Sequence, residues 1–65
     1  MVDIELARWM SIQRKKLGLR QSDMAALVGA ALHTISINQA RISEWERGLK
    51  PVPAYIVPIL RQVLA

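Results

Sequence analysis

Apolar residues fall at three- and four-residue intervals along most of this chain, the period of helices that bury one face. Leu6, Met10 and Leu17 set a stripe that Ala7, Trp9 and Ile12 widen. Asp3 stands just before it, where a side-chain oxygen can accept an orphaned backbone N–H. A first helix is therefore predicted from Asp3 to about Leu17, ended by Gly18. Residues 21–28 form a second, with Met24, Ala25, Leu27 and Val28 apolar and Gly29 as its stop. A third, shorter helix lies between Asn38, a good cap, and Gly48, which can take the left-handed conformation that ends helices. Its Ile42 and Trp45 are three apart on one face, which would be the buried one. Pro53 suits the first position of a last helix over about 53–64, with Ile56, Ile59, Leu60, Val63 and Leu64 on one face. Pro58 lies inside that helix and removes one backbone bond, which predicts a kink or a delayed regular start.

The period breaks once. Leu32-His33-Thr34-Ile35-Ser36-Ile37 alternates and is rich in β-formers, which fits a short extended arm. The second helix could instead continue through Ala30, Ala31 and Leu32, or the third could begin early, capped by Thr34 or Ser36. The preferred reading is a longer ordered loop over residues 30–36. No repeats, low-complexity stretches or interdomain linkers are visible. The chain reads as an all-α, four-helix domain spanning 1–65.

With Ile42 and Trp45 turned inward, the third helix leaves Gln39, Ala40, Arg41 and Glu44 pointing elsewhere. Those side chains suit base edges and phosphates, and a helix is narrow enough to enter a DNA major groove. A Gln can hold adenine N6 and N7 together, an Ala can touch a thymine methyl, and a Glu can accept from cytosine N4. Arg41, Arg47 and Lys50 can supply phosphate charge beside the groove. Lys15, Lys16 and Arg20 are explained equally well as a solvated face.

The run Ile37-Asn38-Gln39-Ala40-Arg41-Ile42-Ser43-Glu44-Trp45-Glu46-Arg47-Gly48 resembles the recognition helix of the Cro/lambda-repressor-like helix-turn-helix proteins, the XRE family. An earlier block, Arg14-Lys15-Lys16-Leu17-Gly18-Leu19-Arg20-Gln21-Ser22-Asp23-Met24-Ala25-Ala26-Leu27-Val28-Gly29, looks like that family's preceding helix. The likeness covers roughly residues 4 to 64. Arg20 stands where the family usually has a Thr or Ser cap, so that helix start is weaker or is capped by Ser22. Seven residues, 30–36, separate Gly29 from Ile37, which are adjacent in most members. No counterpart of the fifth helix of larger repressors is expected. What the resemblance implies is a compact lambda-repressor-like domain with an enlarged turn between helices 2 and 3.

By position, the resemblance assigns base reading to Gln39, Ala40 and Glu44. Gln21 would meet a phosphate at the start of helix 2, where free N–H groups favour anions, and Asn38 would contact another. Arg14 and Glu46 match a partly buried, structural ion pair. The implied function is sequence-specific binding of a pseudo-palindromic operator as a homodimer, with repression of transcription, as in small phage, prophage or plasmid regulators. The ending from Gly48 to Tyr55 also looks like short phage regulators, including those that accompany anti-CRISPR genes.

Charge and composition agree with this picture. The net charge is +4, and eight of the nine cations lie between Arg8 and Lys50, which favours a polyanion as partner. Hydrophobic residues make up 52% of 65, more than so small a sphere hides, so some should face a partner subunit. Tyr55 and Val57, off the main stripe of the last helix, are candidates for that contact. With no Cys and only His33, neither disulfide nor metal site is expected, and no cofactor. Glu44 and Glu46 are two apart on a helix and diverge, so they form no acid/base dyad. No Ser-His-acid constellation or phosphate loop is present, which argues against an enzyme. No signal peptide or membrane span is visible, and a cytoplasmic location is expected. Two rivals keep the fold: the antitoxin of a toxin–antitoxin pair, with the apolar excess against a toxin, and a protein-interaction module without a DNA role. Gln39 and Arg41 favour DNA, since a protein interface there should be more aromatic.

Overall fold

A computed structural model of the chain describes residues 2–33 and 37–65. Four helices follow one another: α1 (Ile4–Lys16), α2 (Gln21–Ala31), α3 (Gln39–Glu46) and α4 (Val57–Leu64), with no strand among the described residues. Asp3 starts α1, its Oδ1 accepting the Leu6 N–H at 3.0 Å. The stop is a paired closure in which Gly18 N–H reaches the Lys15 carbonyl and Leu19 N–H the Arg14 carbonyl. That closure needs a left-handed residue, and Gly18 supplies it at φ 70°.

The start of α2 uses neither a Thr nor Ser22. Asp23 takes the role from inside the helix. Its Oδ2 accepts the Arg20 backbone N–H at 2.9 Å, and both its oxygens accept from the Arg20 guanidinium. The guanidinium bonds above all, and then the backbone bond, hold the Asp23 carboxyl below its ordinary range. Arg20 thus fills the usual cap position by recruiting the carboxylate three residues on.

At its other end α2 departs from expectation. It passes through Gly29, which is buried inside the helix, and continues over Ala30 and Ala31 to a cap at Leu32. Gly29 costs about 1 kcal/mol against Ala in a helix interior, too little to stop a helix followed by two good formers. His33 takes the left-handed conformation at φ 55° and closes the helix with its N–H on the Ala30 carbonyl. His is among the non-glycine residues that tolerate that region. The expected loop over 30–36 is thus shortened from its front, and Leu32 and His33 form a turn rather than an extended arm. Thr34 and Ser36, the alternative caps of an early third helix, lie with Ile35 outside the described residues.

Between α3 and α4 the chain delays before turning helical. Ile56 N–H bonds the Pro53 carbonyl at 2.9 Å and Val57 N–H the Ala54 carbonyl at 3.3 Å, both spanning three residues. Regular helix begins at Val57, not at Pro53. Pro58 falls in its first turn, where a missing N–H leaves no bond unmade. Of the two outcomes Pro58 allows, the delayed start is the one realised.

One core joins all four helices. Met10 of α1, Met24 and Val28 of α2, Ile42 of α3, and Leu60 and Leu64 of α4 are fully buried, together with Ile56. Each such side chain contributes roughly 1.5–3 kcal/mol relative to exposure. Two residues assigned to the α1 stripe are not in it. Ile12 lies 200° around from Met10 at about 100° per residue, and Leu17 is beyond the last turn; both are exposed. Leu27 likewise faces outward on α2, while Ala25 is buried as expected. Among the described residues, no helix is long and apolar enough to cross a membrane.

An ion pair clamps α3 to α1. Arg14 Nε and Nη2 donate to Glu46 Oε2 and Oε1 at 2.7 and 3.0 Å, and Arg14 Nη1 donates to the Leu19 carbonyl at 2.9 Å. The two side chains are only 12% and 5% exposed. The Glu46 bonds raise the guanidinium above its ordinary, already high pKa, so it remains charged at any working pH. Removing one partner leaves the other buried without its bonds. Arg14→Met or Glu46→Gln alone should therefore cost about 1.5–3 kcal/mol, and the double variant less than the sum. Urea unfolding of the four proteins in this cycle measures the coupling; simple additivity would remove the pair from the account of stability.

Candidate functional site

The exposed side of α3 begins at its cap. Asn38 Oδ1 accepts the Arg41 N–H at 3.0 Å, leaving the side-chain amide of Asn38 at the surface. The next three residues, Gln39, Ala40 and Arg41, are all exposed, and no acidic residue occupies this first turn. The positive end of the helix dipole is therefore not offset locally. Ile42 and Trp45 turn the opposite way, at 0% and 3% exposure, which fixes the rotation of the helix and so decides what faces out. An eight-residue helix is too short to persist in water by itself, so its presentation depends on that packing.

The other sequence-derived residues divide into two groups. Arg47 and Lys50 are exposed around the C-terminal end of α3. Glu44 is half-exposed, and its Oε2 lies 3.4 Å from Lys50 Nζ. Arg41, Glu44, Trp45 and Lys50, with Pro51 and Pro53, line a depression of about 260 Å³ between α3 and the connector that follows it. Gln39, Ala40, Arg41, Glu44, Arg47 and Lys50 thus belong to α3 and the turn after it.

Gln21 is placed differently. It is half-buried at the start of α2, and its side-chain amide donates to Glu46 Oε1 at 3.3 Å. Glu46 is thereby shared between Arg14 of α1 and Gln21 of α2, which ties three helices at one carboxylate. Lys15 and Lys16 are exposed on the last turn of α1, and Arg20 is engaged by Asp23. His33 is exposed. Among the described residues, no three His, Cys, Asp or Glu side chains gather as a metal site.

Two connections escaped the sequence reading: Lys50 with Glu44, and Gln21 with Glu46. The first had a usable signal. A left-handed Gly48 closes α3 with Gly48 N–H on the Trp45 carbonyl and Leu49 N–H on the Glu44 carbonyl, which returns the chain to residue 44. The second had none, since it joins two helices at residues 25 apart in sequence.

Comparison of the chain with protein-family models, with characterised proteins and with solved structures finds no match.

Proposed function

We propose that this protein is a sequence-specific DNA-binding regulator of the Cro/lambda-repressor-like, XRE helix-turn-helix type, with α2 and α3 as the two helices of the motif. The observation that carries the reading is the exposed first turn of α3, with Gln39, Ala40 and Arg41 on a helix anchored by Ile42 and Trp45. In such a docking the second helix lies in the major groove and its N-terminal residues meet base edges. Gln39, Ala40 and Glu44 read bases. Arg41 and Arg47 neutralise phosphates, as does the charge of Lys50, and Asn38 meets the backbone at the start of α3; at the start of α2 the contact falls to the backbone N–H groups, since the Gln21 side chain is engaged by Glu46.

The protein acts as a homodimer and represses by occupying an operator. Ile4, Leu49 and Tyr55 support the dimer, being large apolar side chains more than half exposed. Covering such surface favours association. In the antitoxin alternative the same side chains would meet a toxin.

Selection from a randomised duplex library tests the reading. A two-fold dimer should enrich two half-sites related by symmetry and about one helical turn apart, roughly 10 base pairs centre to centre. Gln39→Ala should lose about 1–3 kcal/mol on the preferred site and relax one base position. Arg41→Ala should weaken all sequences more evenly. Enrichment of no sequence, or a Gln39→Ala variant with unaltered base preference, would remove the assignment of α3 as the reading helix.

A further inference from the structure

Lys50 lies beyond α3 in sequence, yet its ammonium sits beside a carboxylate on α3. The backbone dictates this. Gly48 turns the chain at φ 71°, the Leu49 N–H binds the Glu44 carbonyl at 2.9 Å, and Pro51 restricts residue 50 from the other side. Residue 50 therefore leaves the turn next to residue 44, with Nζ 3.4 Å from Glu44 Oε2. The positive φ is the reason for a glycine here, since the nearest atom to a Cβ at Gly48, Ile4 Cδ1 at 3.2 Å, is the end of a half-exposed side chain that can give way. The turn that positions Lys50 is thus held by conformation.

The charges on α3 say what the pair does. Glu46 is buried against Arg14 and Gln21, so Glu44 carries the helix's exposed negative charge. An unpaired carboxylate on a face that meets DNA is repelled by phosphates, and its side chain samples several rotamers. Lys50 bears on both obstacles. It offsets the charge, and with its ammonium 3.4 Å from Oε2 it narrows where that oxygen sits, while Oε1 remains an acceptor. The pair is 67% and 35% exposed in the free protein, where such contacts contribute little to stability. The attraction between the two charges rises when a bound duplex displaces water from around them, against the cost of taking both out of water.

We infer that Lys50 is a positioning residue for Glu44, holding Oε2 so that Oε1 accepts from the exocyclic amine of a base, with cytosine N4 as its match. Lys50 then acts on which base is chosen, beyond the sequence-independent attraction of its charge. This rests on the DNA-binding reading above.

The test is base preference at each position of the selected site, at fixed salt, for the parent and for Lys50→Ala, Lys50→Arg, Glu44→Gln and the Lys50→Ala/Glu44→Gln double variant. Circular dichroism checks that each remains folded. Glu44→Gln should lose roughly 5- to 150-fold preference at one position, the worth of a base contact. Lys50→Ala should lose about fivefold or more at that same position, and Lys50→Arg should retain the preference. The double variant should discriminate no worse there than Glu44→Gln alone. If Lys50→Ala weakens every sequence by one factor and leaves the preference intact, Lys50 is a phosphate contact and the inference is overturned. If the unsubstituted protein binds no duplex, the DNA reading fails first and this inference with it.

Discussion

Raising the salt concentration from 50 to 200 mM is expected to weaken binding to duplex DNA by about 10²- to 10³-fold. Arg41, Arg47 and Lys50 place three cations around α3, and all three are exposed. A homodimer doubles them to about six neutralised phosphates, and a slope near −0.9 per contact gives about 10³-fold over a fourfold rise in salt. If Glu44 absorbs the charge of Lys50, about four contacts remain and the loss shrinks to about 10²-fold. The slope thus reports the number of cations that act as free charge. A fluorescence titration at several salt concentrations measures it. Binding absent at low salt, or indifferent to salt, would sink the DNA-reader hypothesis whatever the sequence of the duplex.

The helices were legible where a capping residue coincided with the edge of an apolar stripe. Asp3 with Gly18 and Asn38 with Gly48 bracket α1 and α3 to within a residue, because side-chain caps and left-handed glycines are local devices. The end of α2 was not legible by the same rule. Gly29 looks like a terminator in sequence, but it is buried within the helix, and the left-handed position fell to His33. A glycine marks a stop only where the chain needs a positive φ, and tertiary packing decides that. Pro58 signals a disturbance in the sequence, but which disturbance depends on the three-residue bonds from Ile56 and Val57.

The candidate site was legible to the extent that it lies on one helix. Placing Ile42 and Trp45 inward is sufficient to place Gln39, Ala40 and Arg41 outward, since rotation about one axis sets them all. Contacts between elements were harder to read. Arg14 with Glu46 came only through a likeness to known proteins, and Gln21 with Glu46 was not seen at all, being 25 residues apart in sequence. Lys50 with Glu44 stood between these cases: two helix-end bonds suffice to bring the chain back, but only once Gly48 is assigned its positive φ.

Trp45→Ala should cost about 3–5 kcal/mol, the usual range for truncating a buried Trp. At about 0.05–0.15 kcal/mol per residue, a chain of this length has roughly 3–10 kcal/mol of stability in all, so the loss threatens the whole fold. Trp45 is 3% exposed and packs in the core shared by the four helices. Trp45 also lines two surface depressions, one with Arg41, Glu44 and Lys50, the other with Val2, Leu6 and Val57. Truncation would therefore enlarge a gap that already borders both. The consequence reaches the site directly. Eight-residue α3 keeps its helical form and its rotation through Ile42 and Trp45, and without Trp45 the outward set from Gln39 to Arg41 loses its fixed presentation. Urea unfolding followed by circular dichroism reads the stability, and Trp45→Phe, which keeps an aromatic ring in place, should lose distinctly less. A Trp45→Ala protein that unfolds at the parent's urea midpoint would show that α3 is held by something other than this side chain, and the orientation assigned to Gln39, Ala40 and Arg41 would lose its basis.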